Sequence, residues 1–139
     1  MSSIQTSQVA ALLDGLAGGS VEIVDLTQPL SESTPVIKLP PPFANTPGPD
    51  VEAARWLANE RDINGFGTET VGIDAGSAGG MDPPFPLHNF LLGAGRLGLT
   101  QLANLDKLPA TGALIVVSPL RLVGGTGSPS RVFAFVPRA

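Results

Sequence analysis

The sequence has no cysteine and only one histidine, and both shortages limit the chemistry that one chain can offer. Without cysteine, disulfide bonds and thiolate metal sites are excluded. Charged residues form only 14% of the chain, and its 8 lysines and arginines form no basic stripe, so nucleic acid and anionic membranes are poor candidates as partners. Such a low charge favours a surface that is partly buried in a homo-oligomer.

The first lysine or arginine of the chain is Lys38, so its beginning lacks the basic segment of a signal peptide. No apolar run approaches the length that crosses a bilayer. These two absences predict a soluble, cytoplasmic protein. A chain of 139 residues with 42% hydrophobic content is long enough to bury a core, and we predict a single domain over residues 1–139.

Hydrophobic periodicity predicts an α/β (α+β) domain in which a mixed β-sheet is combined with about three helices. The helices are predicted at 5–17, at 51–60 with Asp50 as N-cap, and as a short turn at 87–92. The strands are predicted at 21–26, 68–74, 113–120 and 131–136. The continuous apolar run at 113–120 is typical of a strand that is covered on both faces, and the final strand is expected to run antiparallel to it.

Residues 27–49 have neither a helical nor a strand pattern. They are rich in proline, and the triplet Pro40-Pro41-Pro42 favours an extended path. A stretch of this length without an element of its own is unusual inside a compact domain. We predict either an extended arm, through which an intertwined homo-oligomer would form, or the site of a missing segment.

The stretch 65–105 contains the residues that are best suited to chemistry. A predicted strand ends at Asp74, a loop rich in glycine and proline follows, and the next helical turn begins with His88. Asp74 and His88 are therefore candidate catalytic residues, and His88 is a candidate metal ligand. A metal site needs three or four donors, and Asp74, Asp82 and Glu69 are the only acids nearby. The structural alternative is a partly buried histidine that donates to a backbone carbonyl at a turn.

Two glycine motifs in this stretch fit poorly with the functions they suggest. GAGRLG at 93–98 matches a dinucleotide fingerprint in letters, but it follows a helical turn instead of a strand. AGSAG at 75–79 approaches a nucleophile elbow around Ser77, with Asp74 and His88 as possible triad partners. The prolines that follow Ser77 prevent the long helix that a nucleophile elbow requires. Both motifs are therefore more typical of turns and close packing.

Several separate stretches resemble the cyclase family, the metal-dependent hydrolases that include bacterial kynurenine formamidase and isatin hydrolase. VDLTQPLSESTPV at 24–36 resembles the opening of that family. Further segments are similar to its C-terminal part, in the same order: GTETVGIDAGSAGG, DPPFPLHNFLLGAG, GLTQLANLDKLPATGA and GSPSRVFAFVP. The resemblance implies a remnant of the family's swivelling β/β/α fold.

The chain departs from this family in the residues that hold the metal. Members carry most of their metal and catalytic residues in an H-x-G-T-H-x-D-x-P-x-H motif, which this sequence lacks. His88 matches a downstream histidine that is a metal ligand in formamidase-type members, but the glutamate that they carry twelve residues later is Thr100 here. The resemblance implies an internally shortened member, joined near 45–48, with no cofactor expected and Mn or Zn only if the site is rebuilt.

Three functions are consistent with these observations. The first hypothesis is a shortened cyclase-family protein, a pseudoenzyme that has lost amide or lactam hydrolysis and acts as an oligomeric assembly or scaffold. The alternative is an arylformamidase-like, metal-dependent hydrolase of an N-formyl or lactam substrate, with a site rebuilt between subunits from His88 and Asp74 or Asp82. The third is a binding module in which the glycine loop 76–80 and His88 hold a carboxylate or amide. One histidine per chain favours the first.

Overall fold

The computed structural model of the chain describes residues 3–29, 31–32 and 46–138, with side chains from residue 7 onward. The helices are α1 (Ser3–Gly18) and α2 (Val51–Asn59), and the strands are β1 (Val21–Asp25), β2 (Gly65–Gly67), β3 (Leu97–Leu99), β4 (Leu114–Pro119) and β5 (Ser130–Pro137). A short π-type turn at His88–Leu92 adds a third helical element. Antiparallel and parallel strand pairs both occur, which confirms the predicted mixed α+β fold.

The chain divides into two compact units, one formed by residues 1–27 and 103–139 and the other by residues 28–102. The first unit contains a three-stranded antiparallel sheet in the order β1–β5–β4. Alternate residues of β5 are buried, as expected of a strand with one covered face: Val132, Ala134 and Val136. Helix α1 approaches β1 at Gly15, where a β-carbon would lie 2.7 Å from Cγ2 of Val21.

Strand β4 lies at the edge of this sheet, as the register shows. Leu114 is paired with Phe135 and Ile115 with Ala134, so these two neighbours point to opposite faces. Leu114 is 54% exposed and Ile115 is 47% exposed. The prediction of a strand covered on both faces is therefore wrong. An apolar run indicates that a strand forms, but it does not indicate where in the sheet that strand lies. The predicted antiparallel pairing with the last strand is confirmed.

The second unit is built around helix α2. Asp50 caps its first turn, since the Asp50 carboxylate accepts a hydrogen bond of 2.8 Å from the Ala53 N–H. The predicted helix and its N-cap are confirmed. The core of this unit combines four buried side chains with partly buried neighbours that pack on them: Ala54, Ile73, Leu87 and Leu91, with Leu57, Ile63, Phe66 and Phe90. Strands β2 and β3 pair in parallel beside this core.

The predicted strand at 68–74 is wrong, because the regular strand ends at Gly67. The threonine hydroxyls bond locally where a strand would continue. Thr68 Oγ1 accepts from the Thr70 N–H at 3.3 Å, and Thr70 Oγ1 donates to the Gly72 carbonyl at 2.6 Å. Such local bonds compete with a strand ladder. Ile73 and Asp74 are both buried, although a period of two would place these neighbours on opposite faces of a strand.

One prediction from the sequence lies mostly outside what the structure describes. Most of the predicted arm at 27–49 falls outside the described residues, since 30 and 33–45 are among those not described. The single domain over 1–139 stays a prediction. Among the described residues, no helix has the length and apolar character needed to cross a membrane.

Candidate functional site

Asp74 is a buried carboxylate that organises the loop in front of it. Its side chain is 3% exposed. Oδ1 accepts a hydrogen bond of 2.7 Å from the Leu87 N–H, and Oδ2 accepts one of 2.9 Å from the His88 N–H. Oδ2 also lies 2.5 Å from Nδ1 of the His88 ring. A buried charge with three donors is satisfied, and here those donors belong to the turn that follows the glycine loop.

His88 is oriented by this carboxylate. An ionised carboxylate can only accept hydrogen bonds, so the close contact with Oδ2 assigns the ring proton to Nδ1. The other ring nitrogen, Nε2, then carries a lone pair. The His88 side chain is 51% exposed. The pair therefore fixes an imidazole that is half exposed to solvent, an arrangement that can accept a proton or bind a metal ion.

The turn that carries His88 is anchored in the core. Leu87 and Leu91 flank the ring along the turn, and both are fully buried. The turn is closed by the Gly93 N–H, which donates to the His88 carbonyl at 3.3 Å. Turns with this wider spacing are frequent at functional sites. Since the leucines fix the backbone and Asp74 fixes the ring, His88 has little freedom to reorient.

The loop after Asp74 is held from outside by residues 46–48. The Gly76 N–H donates to the Thr46 carbonyl at 2.9 Å. A β-carbon on Gly48 would lie 2.2 Å from the backbone nitrogen of Ala75, so only glycine fits there. This contact fixes the backbone immediately after Asp74. Nothing in the sequence marks Gly48 as part of the site, because the close approach joins residues that are far apart along the chain.

The structure brings the predicted site residues Asp74 and His88 into direct contact. The His88 ring bonds to the Asp74 carboxylate, not to a backbone carbonyl and not to Ser77. Gly95 of the fingerprint-like segment has φ of +73° and follows the π-type turn, as a turn residue does. Among the described residues, no three or more His, Cys, Asp or Glu side chains converge as a metal site would require. One described chain therefore does not fit a metal ion by itself, because Asp74 is turned inward and only Nε2 of His88 is left as a donor.

Phe85 is a residue of this site that the sequence did not reveal. Its ring meets the His88 ring edge-on, with centroids 6.2 Å apart and planes at 75°. Phe85 is 49% exposed and has φ of +49°. A phenylalanine between two prolines gives no signal for a positive φ, since bulky residues rarely adopt one.

Comparison with known proteins indicates the family to which this chain is related. Residues 38–75 match the family model described as "Putative cyclase". Isatin hydrolase from Roseibium aggregatum is 50% identical over 95 residues, which are 68% of this chain. The chain spans only 36% of that relative's length.

The fold also resembles solved structures. Isatin hydrolase A from Labrenzia aggregata, bound to benzyl benzoate, matches with a TM-score of 0.87 at 29% identity, covering 94% of this chain and 100% of that one. A predicted metal-dependent hydrolase from Bacillus stearothermophilus matches with a TM-score of 0.51 at 34% identity, covering 61% of this chain and 38% of that one.

The chain belongs to the cyclase family, and its mixed α+β fold is the fold of that family's isatin hydrolases. It is similar to isatin hydrolases, and some of its structural relatives are described as metal-dependent hydrolases. The predicted resemblance to the cyclase family is thereby confirmed.

Proposed function

We propose that this chain is a subunit of an isatin hydrolase-like enzyme that hydrolyses an N-formyl or lactam amide, with a site completed by a second chain. The observation that carries the proposal is the Asp74–His88 pair. A buried carboxylate fixes the imidazole, and the His88 side chain is half exposed to solvent. An oriented base of this kind is what hydrolysis of an amide requires. The alternative from the sequence, in which His88 acts with acids from several subunits, is thus favoured over loss of activity.

The residues of this chain would act in defined roles. Nε2 of His88 accepts a proton from the attacking water or binds a metal ion, and Asp74 keeps the proton on Nδ1 and stabilises the charged ring. A bound Mn or Zn would supply a water of lowered pKa. Because one described chain offers a single free nitrogen, further donors must come from a second copy. The structural match with isatin hydrolase A, at a TM-score of 0.87, supports an isatin hydrolase-like function.

The decisive experiment combines a metal assay with turnover. We expect protein grown with added manganese and zinc to retain near-stoichiometric metal, and to hydrolyse isatin or an N-formyl arylamine. His88→Ala should remove both the metal and the activity. Activity per chain should rise with protein concentration, because the site forms only when chains associate.

Asn89→Ala is the matched control for His88→Ala. Asn89 is the exposed neighbour of His88, and its side chain makes only a long bond of 3.4 Å to the Pro84 carbonyl. We expect this variant to keep metal and activity. Metal-loaded, associated protein without any turnover would contradict the proposed hydrolysis.

A second candidate function is an oligomeric assembly without hydrolysis, the first hypothesis from the sequence. It is favoured by exposed apolar residues on and beside β4: Leu114, Ile115, Leu120, Leu122 and Val123. In the described part of the chain, no strand pairs with the outer edge of β4. An uncovered apolar edge of this kind pairs readily with another chain. An intertwined arrangement through 27–49 would also bury apolar surface.

Mass and activity measured together separate the two candidates. Light scattering that finds an oligomer, in protein that holds no metal and turns over no substrate, would support the assembly. An oligomer with activity that depends on His88 would support the hydrolase. A monomer at all concentrations would contradict both candidates, since each requires a second chain.

A further inference from the structure

Phe85 is exposed and strained at the same time. It is 49% exposed, and its φ of +49° lies in the left-handed region that bulky residues rarely adopt. Hydrogen bonds hold its backbone on both sides. The Phe85 N–H donates to the Ala78 carbonyl at 3.0 Å, and the Phe85 carbonyl accepts from the Asn89 N–H at 2.9 Å. Burial does not explain this placement, because half of the residue faces solvent.

The Phe85 ring has two neighbours that set its orientation. A β-carbon on Gly79 would lie 3.4 Å from Cζ of Phe85, so the end of the ring packs on this glycine. The ring also meets the His88 imidazole edge-on, with centroids 6.2 Å apart. A partly exposed phenyl ring therefore stands next to the half-exposed His88 ring. Backbone strain at such a place is typical of sites that hold a ligand.

We propose that Phe85 is a specificity-determining residue, a wall of the His88 site against which the flat aromatic ring of an aryl amide stacks. This inference rests on the proposed function, because it takes the amide beside His88 as the ligand. Aromatic rings prefer offset or edge-on contacts with one another. A ligand ring on Phe85 places the amide group that it carries beside the His88 imidazole.

The test compares two probes that carry the same acetamide group, one on a flat aromatic ring and the other on a saturated ring, and the Phe85 variant shows how much of the preference depends on the Phe85 ring. Acetanilide carries an aryl amide, and N-cyclohexylacetamide carries the same amide on a saturated ring of similar size. His88 is the only histidine, so its ring resonances report binding without ambiguity. We expect acetanilide to bind roughly 2- to 12-fold more tightly, the range of an aromatic pair. Phe85→Leu should reduce this preference to about one, because it keeps an apolar side chain without the ring.

Trp56→Leu is the matched control for Phe85→Leu. Trp56 is an exposed aromatic residue on α2 whose ring contacts the Arg61 guanidinium at 4.9 Å. This variant should keep the preference for acetanilide. If Phe85→Leu does not fold, Phe85→Gly takes its place, because glycine adopts the positive φ without strain. Equal binding of both probes, an unchanged preference in the Phe85 variant, or no change at His88 with either probe would overturn the inference.

The same variants separate this inference from the proposed hydrolysis. Hydrolysis that depends on His88, with an unchanged KM in Phe85→Leu, would overturn the role of Phe85 and leave the proposed function standing. An aromatic preference at His88 without any turnover would support the role of Phe85 and contradict the hydrolysis.

Discussion

At the scale of single residues, Asp74 has two tasks that one carboxylate performs together. It accepts the backbone N–H groups of Leu87 and His88, and it orients the His88 ring. The first task stabilises the turn whether or not the chain is an enzyme. Orienting the His88 ring is not required for folding, since the ring is half exposed. A change at Asp74 that preserves shape can separate the two tasks.

We expect Asp74→Asn to change the tautomer of His88. The amide oxygen of asparagine can still accept a hydrogen bond from the Leu87 N–H, but its NH₂ group cannot accept a hydrogen bond from Nδ1–H of His88. The proton should therefore move to Nε2, and the free energy of unfolding should fall by about 1–3 kcal/mol. Nitrogen chemical shifts of the single histidine report the tautomer, and urea unfolding reports the stability.

Asp82→Asn is the control for this prediction. Asp82 is an exposed acid in the same loop. The variant should leave both the tautomer and the stability as they are. An unchanged Nδ1–H signal in Asp74→Asn would show that the carboxylate does not fix the ring.

Gly48 gives a second prediction at this scale. An alanine there would place its β-carbon 2.2 Å from the Ala75 nitrogen, and the backbone after Asp74 would have to move. We expect Gly48→Ala to lower the free energy of unfolding by about 1–3 kcal/mol, as overpacking does. The His88 resonances should shift as well. Gly80→Ala is the matched control, because a β-carbon on Gly80 meets nothing within 4 Å. Equal stability of the two variants would contradict the prediction.

At the scale of elements, helix α2 depends on its N-cap. We expect Asp50→Ala to lower the free energy of unfolding by about 1 kcal/mol, because the Ala53 N–H loses its side-chain acceptor. Asp50→Ser should restore most of the loss, since serine also accepts from the first turn. Urea unfolding followed by circular dichroism measures both variants. A serine variant that is no more stable than the alanine variant would show that the cap bond contributes little.

The end of strand β1 gives a prediction for acid pH. The hydrogen bond from the Thr27 N–H lowers the pKa of Asp25 below 3.8, and Arg131 lowers it further. A carboxylate with a lowered folded-state pKa stabilises the fold above the unfolded pKa, and this stabilisation is lost as pH falls through the folded pKa. We therefore expect Asp25→Asn to lower Tm near neutral pH and to make little difference in strong acid.

Thermal unfolding at several pH values from neutral to strongly acidic tests this expectation. Arg131→Gln should have a smaller effect on the pH dependence, because the guanidinium is a lesser cause of the lowered pKa than the Thr27 N–H. A Tm difference between wild type and Asp25→Asn that stays constant down to strong acid would contradict the argument.

At the scale of the whole molecule, the proposed association is expected to use the edge of β4. A lysine at Leu114 would place a charge on an apolar edge strand, which natural proteins use to prevent pairing. We expect Leu114→Lys to lower the mass measured by light scattering and, if the hydrolase proposal holds, the activity with it. Val9→Lys changes an apolar residue of similar exposure on α1 and should have no effect. Equal masses for both variants would show that the interface does not use the edge of β4.

Most of the local structure follows from the sequence, because local rules govern it. The Asp50 cap, the helical turn at His88 and the antiparallel final strands were each predicted from nearby residues. The strand at 68–74 was not, because alternation alone does not reveal that threonine hydroxyls bond their own backbone. Asp74 and His88 were named as candidates from their order along the chain, and their catalytic role stays a prediction.

The sequence by itself determined the family, the helices and the two residues that carry the candidate chemistry. It did so because side-chain type, spacing and motif order are properties of the chain. Only the tertiary structure decided that Asp74 bonds to the His88 ring, that Gly48 holds the loop behind it and that Phe85 stands beside the imidazole. It also decided that β4 lies at an edge. Some of these features join residues that are distant in sequence, and another depends on a positive φ that phenylalanine rarely adopts. A local sequence pattern encodes neither kind of feature.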